Sequence, residues 1–181
     1  MNPIIKMTLN DKTTMRFELY EDKAPISVKN FVELVKSGFY TNCIFHRVIA
    51  SFMVQAGGYF IRNNQIVYDG SAKNITGEFE ANGIKNDIKH EFGVLSMARS
   101  QNMNSASSQF FICVDNCQHL DKNYAAFGKM IEGEEILKKL CNEPTTYVNA
   151  ALADFPRRLL VIESMTVEEW FYEFMAWYCK W

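Results

Sequence analysis

The sequence predicts a mainly β fold, a closed antiparallel barrel capped by two α-helices. Three observations predict it. Short stretches of apolar–polar alternation recur along most of the chain, and a period of two marks a strand with one buried and one wet face. Only two stretches carry a helical period. The 181 residues suit one domain with a sizeable core, and closure is one way short antiparallel strands remove their edges.

The elements follow in order. Ile5, Met7 and Leu9 alternate with polar residues, Asn10-Asp11-Lys12 supplies turn chemistry, and Met15, Phe17 and Leu19 resume the alternation. This predicts a hairpin. Pro25 stands where a first-turn proline is tolerated, and Val28, Phe31, Val32 and Val35 form one apolar stripe. Gly38 then ends that helix. Short strands are expected at 43–48 and 51–55. The stretch 57–91 is rich in Asn, Gly and Asp and reads mainly as loops. Strands return at 93–98, 110–114 and 125–130; a second helix covers 134–142, with Ile136, Leu137 and Leu140 on its apolar side; a last strand covers 159–167.

Composition narrows the function classes. Apolar residues make up 48% and charged residues 22%, with a net charge of -2, so no basic surface recommends a nucleic-acid partner. No apolar run reaches the length of a membrane span, and residues 1–9 lack a signal-peptide core. The five cysteines are odd in number and irregularly spaced, which fits free thiols in a reducing, cytoplasmic location. Cys113, Cys117 and His119 lie close together, but they form no paired C-x-x-C pattern, so no metal site is expected.

The domain is expected to span 1–167, followed by an aromatic-rich, helical tail at 168–181. Trp170, Phe171, Tyr172, Phe174, Trp177, Tyr178 and Trp181 crowd into that tail. The favoured reading is a helix folded over the barrel or a tail without a dedicated role. The alternative is a self or partner contact.

Three segments carry the chemistry: FHRVI at 45–49 with SFMVQAGG at 51–58; GVLSMAR at 93–99 leading to SASSQFFI at 105–112; and HLDKNYAAFG at 119–128. On a twisted strand pair, Arg47, Phe52, Met53 and Gln55 can face one surface, joining one fixed cation, one amide and two apolar groups. No Ser–His–Asp or Cys–His constellation and no phosphate-binding glycine loop is evident. The residues alone support a polar-edged apolar pocket for an extended peptide. Phe52, Met53 and Phe111 could equally be plain core, Gln109 a surface amide, and His46 a hydrogen-bonded structural histidine. Arg47 is the hardest to read as structural, because a buried arginine needs a partner.

These segments, in this order, resemble the cyclophilin family, and the SMARSQNMNSASSQFFI version is similar to its bacterial-type members. The resemblance covers nearly the whole chain, as far as Val167. It implies an eight-stranded closed barrel and peptidyl-prolyl cis-trans isomerase activity that assists protein folding, without metal or cofactor. It makes Arg47 the main catalytic residue, with Gln55 supporting it and Phe52 beside it. Met53, Phe111 and Leu120 then complete the proline pocket with Phe52, and Ala98 and Gln109 contact the substrate backbone and an adjacent pocket.

This sequence also departs from the family pattern. Arg99 falls where many members have asparagine, in a role served by the backbone. His119 replaces a common tryptophan, Tyr124 a common histidine, and Ala56 a usual glycine. His119 implies weakened binding of cyclosporin-type ligands more than lost activity. The implied partners are proline-containing polypeptides. A rival role is a module that holds such segments without turnover, but a pure binder would not need the charged donor.

Overall fold

The computed structural model describes residues 2–168. β1 (Ile4–Leu9) and β2 (Thr14–Leu19) form the expected hairpin. Ile5, Met7, Leu9, Met15, Phe17 and Leu19 are buried on its inner face. α1 (Pro25–Lys36) buries Val28, Phe31 and Val35, while Val32 is only partly covered. Gly38, at φ 73°, takes the left-handed conformation that ends the helix, and the Gly38 and Phe39 N–H groups donate to the Val35 and Leu34 carbonyls. The Phe31 ring lies 5.1–5.3 Å from those of Tyr40, Phe110 and Phe127, so α1 seats on the sheet through aromatic contacts.

The segment 43–49 holds two short strands, β3 (Cys43–Ile44) and β4 (Arg47–Ile49). β5 (Met53–Ala56), β6 (Tyr59–Arg62) and β7 (Gln65–Tyr68) follow, then β8 (Val94–Met97), β9 (Phe110–Cys113) and β10 (Ala126–Glu132). α2 (Glu134–Cys141) buries Ile136, Leu137 and Leu140, with acids in its first turn and lysines in its last, matching the helix dipole. β11 (Thr145–Thr146) and β12 (Phe155–Pro156) make a small separate ribbon, and β13 (Val161–Glu168) returns beside β1.

The main sheet has eleven strands in the order β4-β5-β9-β8-β10-β2-β1-β13-β3-β6-β7. Among the described residues the fold is mainly β with two α-helices. The strand count departs from eight, and β4 and β7 end the ladder without pairing to each other. The bend at Phe45-His46 divides one strand in two, with β4 at one end of the order and β3 near the other. A single residue pair links them along the chain, so the sheet has to curl. The β6–β7 hairpin also corrects the expectation of loops across 57–91. Asn63 and Asn64, at φ 50° and 57°, make the two-residue left-handed turn that joins the strands.

The loop after β7 has a structural task that its sequence hides. The buried Glu78 carboxylate accepts the Ile26 N–H at 2.9 Å and the Ser27 N–H and hydroxyl at 2.7 Å, capping the start of α1. The expectations for the aromatic tail, from a helix over the barrel to a self or partner contact, fall on 169–181, outside the described residues.

Candidate active site

Strand register builds the site. Arg47 on β4 pairs with Gln55 on β5, Gln55 with Phe111 on β9, and Phe111 with Ser96 on β8. Directly paired residues point to the same face, so these four side chains form one row. The row runs from a half-exposed Arg47 to a fully buried Ser96. Met53 shares that face, two residues before Gln55. Gly57, at φ 95°, lets the row close up: a Cβ there would lie 2.3 Å from the Ser108 carbonyl oxygen.

The row opens into a cavity of about 170 Å³, lined by Arg47, Phe52, Met53, Gln55, Ala98, Arg99, Phe111, Leu120 and Tyr124. Met53, Phe111 and Leu120 are buried, but in an apolar cluster separate from the main core. They are wall as well as packing. His119, expected to contact substrate, is exposed and does not line this cavity; its ring lies 5.2 Å from that of Phe52. Gln109 lines a neighbouring cleft instead, where its side-chain oxygen accepts the Gln55 amide N–H at 2.9 Å.

Three contacts differ from the sequence reading. Arg47 is paired with Asp154, Nε to Oδ2 at 3.3 Å, whereas the Gln55 amide bonds to Gln109. The Arg99 side chain builds wall: its guanidinium lies 4.6 Å from the Tyr124 ring centre and donates to the Asn123 carbonyl at 2.8 Å. His46 is buried, yet its Nδ1 has no hydrogen-bond partner among the described residues. Burial pushes the His46 pKa down to about 4, which keeps the ring neutral near pH 7.

The fold also assembles a group that sequence spacing did not reveal. His90 Nδ1 lies 3.1 Å from Asp121 Oδ1, and Nε2 lies 3.0 Å from Ser96 Oγ. This resembles a Ser–His–Asp constellation, but Ser96 is 0% exposed and cannot meet a substrate. The His90 ring stacks on Phe111, with centres 6.1 Å apart, so the group braces the pocket wall from behind. Desolvation lowers the His90 pKa.

Residues 4–167 match the family model for cyclophilin type peptidyl-prolyl cis-trans isomerase/CLD. The chain belongs to the cyclophilin family. A peptidyl-prolyl cis-trans isomerase of Acinetobacter baylyi is 41% identical over 150 residues, covering 80% of this chain and 75% of the relative. Peptidyl-prolyl cis-trans isomerase B of Escherichia coli is 35% identical over 158 residues, covering 83% of this chain and 91% of the relative. A crystal structure of a cyclophilin type isomerase from Cryptosporidium parvum aligns with a TM-score of 0.75 at 27% identity, over 93% of this chain and 99% of that one. The chain is thus a cyclophilin of bacterial type, and its activity is cis–trans isomerisation of X–Pro peptide bonds.

Proposed function

We propose that this cyclophilin isomerises X–Pro bonds without covalent chemistry, with the proline ring held in the 170 Å³ cavity and Arg47 stabilising the twisted amide. The observation that carries this reading is the position of Arg47: the guanidinium lines a small cavity whose other walls include Phe52, Met53, Phe111 and Leu120, in register with Gln55 and Phe111. The planar peptide bond resists rotation by about 18–20 kcal/mol because of resonance. For X–Pro bonds the two isomers differ by only about 0.5–1 kcal/mol, yet exchange takes tens of seconds or longer.

Rotation breaks the conjugation and leaves a lone pair on the prolyl nitrogen. A donor directed at that nitrogen is bound more strongly in the twisted state than in the planar one, which is the requirement for catalysis. Arg47 remains charged, and its planar fork carries several donors. Its Nε is taken by Asp154, which leaves the terminal nitrogens for substrate. Phe52, Met53, Phe111 and Leu120 hold the ring while the carbonyl side turns, and their low polarity strengthens the arginine contact.

The partners on this reading are proline-containing polypeptides. The crystal structure of the Cryptosporidium parvum relative in the presence of the dipeptide Ala-Pro, 28% identical with a TM-score of 0.74, supports it. His119 in place of a broad indole weakens cyclosporin-type ligands. Help in protein folding and a cytoplasmic location belong to the same reading, the latter supported by the odd, irregular cysteines. The closed eight-stranded ring is also part of it, supported by the way β3 and β4 tie opposite flanks of the sheet through one bend.

Exchange NMR on a short Ala-Pro peptide tests the function. Saturable acceleration of cis–trans exchange is expected. Binding of the peptide without acceleration would reduce the chain to a holding module.

A further inference from the structure

A second cleft, of about 380 Å³, adjoins the proline cavity and shares Arg47 and Gln55 with it. One wall is the β6–β7 hairpin, where the cross-strand pair Tyr59 and Tyr68 holds its rings 5.3 Å apart. The other is the turn at 149–154, which presents Ala150, Ala151 and Ala153. That turn is well built. The Asn149 side-chain oxygen accepts the Ala151 and Leu152 N–H groups at 2.9 and 3.1 Å. The Asp154 carbonyl accepts the Val48 N–H at 3.0 Å, tying the turn to β4. Leu152 packs into the small apolar cluster under the ribbon, whereas the three alanines border the cleft and leave it open.

The floor of the cleft is polar, with His46, Gln55 and Gln109, while its hairpin end, with Tyr59 and Tyr68, suits a neutral aromatic guest. Its two opposite charges, Arg47 and Asp154, are paired with each other. Tyr68 is 61% exposed, an aromatic surface without a cover among the described residues. A peptide seated with its proline in the first cavity has only Arg47 and Gln55 to cross before it reaches the second. Extended chain advances about 3.3–3.6 Å per residue, so one or two residues make that step.

We propose that the Tyr59–Tyr68–alanine cleft is a second subsite of the isomerase, and that it takes a bulky apolar, preferably aromatic, side chain within two residues of the substrate proline. The proposal rests on the assignment of the first cavity to proline. Of the possible occupants, the substrate's own chain is the one that continuity with that cavity favours. Such a subsite selects among prolyl bonds by their neighbours, whereas the proline cavity does not.

The test uses the full chain and a set of peptides sharing one Ala-Pro centre, with phenylalanine or glycine placed at each of the two positions on either side. Exchange NMR gives kcat/KM for each. Phenylalanine at one of these positions is expected to raise kcat/KM roughly 10-fold over glycine, the scale of an added apolar contact in a preformed pocket. In Ala151→Leu, which fills the cleft, and in Tyr68→Ala, which removes its exposed wall, this ratio falls towards one. Circular dichroism establishes that each variant is folded, and Tyr68→Ala, at a surface position, covers the case of a misfolded leucine variant. Equal kcat/KM for every peptide in the wild type overturns the subsite, as does a preference unchanged in both variants. No acceleration of any peptide overturns the proline-site reading itself, so the two failures are distinguishable.

Discussion

Arg47 and Asp154 stand 107 residues apart in sequence and side by side in the fold, with Nε donating to Oδ2 at 3.3 Å. The Asp154 backbone is fastened to Val48, the residue after Arg47. The carboxylate thereby holds the guanidinium by its Nε and leaves the terminal nitrogens out of this pair. Both side chains are more than a third exposed, so solvent screens the pair. Exposed pairs are worth about 0.2–1 kcal/mol, which limits the catalytic effect to roughly 1.4- to 5-fold. Asp154→Ala is expected to lower kcat by that factor with KM little changed, and Asp154→Asn, which keeps an acceptor, to recover part of it. On an Arg47→Ala background the Asp154 substitution should do nothing further. An equal loss on both backgrounds would mean that Asp154 acts independently of the arginine.

Arg47→Ala removes the charged donor at the cavity rim. A hydrogen bond to a charged group contributes about 1.5–3 kcal/mol, so kcat/KM should fall roughly 10- to 100-fold. Arg47→Lys should recover it only in part, because a point charge on a flexible stem lacks the planar fork. Peptide affinity, read by titration, should weaken less than turnover. A folded Arg47→Ala protein with unchanged kcat/KM would remove this arginine from the mechanism.

His46 links stability to pH. Its folded pKa of about 4 lies below the ordinary histidine value of 6.5, because burial disfavours the charged ring. The unfolded chain therefore binds more protons between these values. Stability should rise with pH through the window from about 4 to 6.5 and be lost as pH falls, with a limiting contribution on the order of 3 kcal/mol. His90, also lowered, slopes the same way. Melting temperatures of the wild type and His46→Gln across pH 4–7 isolate the His46 share. Parallel curves would show that this ring does not carry the linkage.

Glu78 ties the loop after β7 to the first turn of α1. Glu78→Ala leaves the Ser27 N–H and hydroxyl in a buried site without their acceptor. The expected cost is about 2–3 kcal/mol, or roughly 4–12 °C in Tm for a chain of this size. Glu78→Gln should lose less, since its oxygen can still accept. Thermal melts decide it, and a loss below 1 °C for Glu78→Ala would show the cap to be dispensable.

Cys43, Cys113 and Cys117 are buried, and burial raises their thiol pKa values, that of Cys43 to about 12. Thiolates are scarce there at neutral pH. A thiol-blocking reagent under native conditions should therefore react at partly exposed Cys141 before these three, and most of the isomerase activity should remain. Peptide mapping locates the adduct. Full loss of activity in a folded protein modified at a single cysteine would argue for a covalent step.

The hairpin of β1 and β2, the stripe of α1 and the apolar face of α2 were legible in the chain because burial imposes a period of two or 3.6 on neighbouring residues. The row of Arg47, Gln55 and Phe111 was legible through motifs whose order matches a family. The Asn63-Asn64 turn was also present as a local signal, but the polar stretch around it masked two short strands. Other features have no local trace. Asp154 reaches Arg47, Glu78 reaches Ser27, and Asp121 reaches His90 only after loops of unrelated sequence dock on the sheet. The same packing buries Ser96 and leaves His46 Nδ1 without a partner among the described residues. By itself the sequence determined the class of elements and most of the residues that line the first cavity, because periodicity and motif are properties of adjacent positions. The tertiary structure alone decided which distant polar group meets which, because a single side-chain contact leaves no period to read.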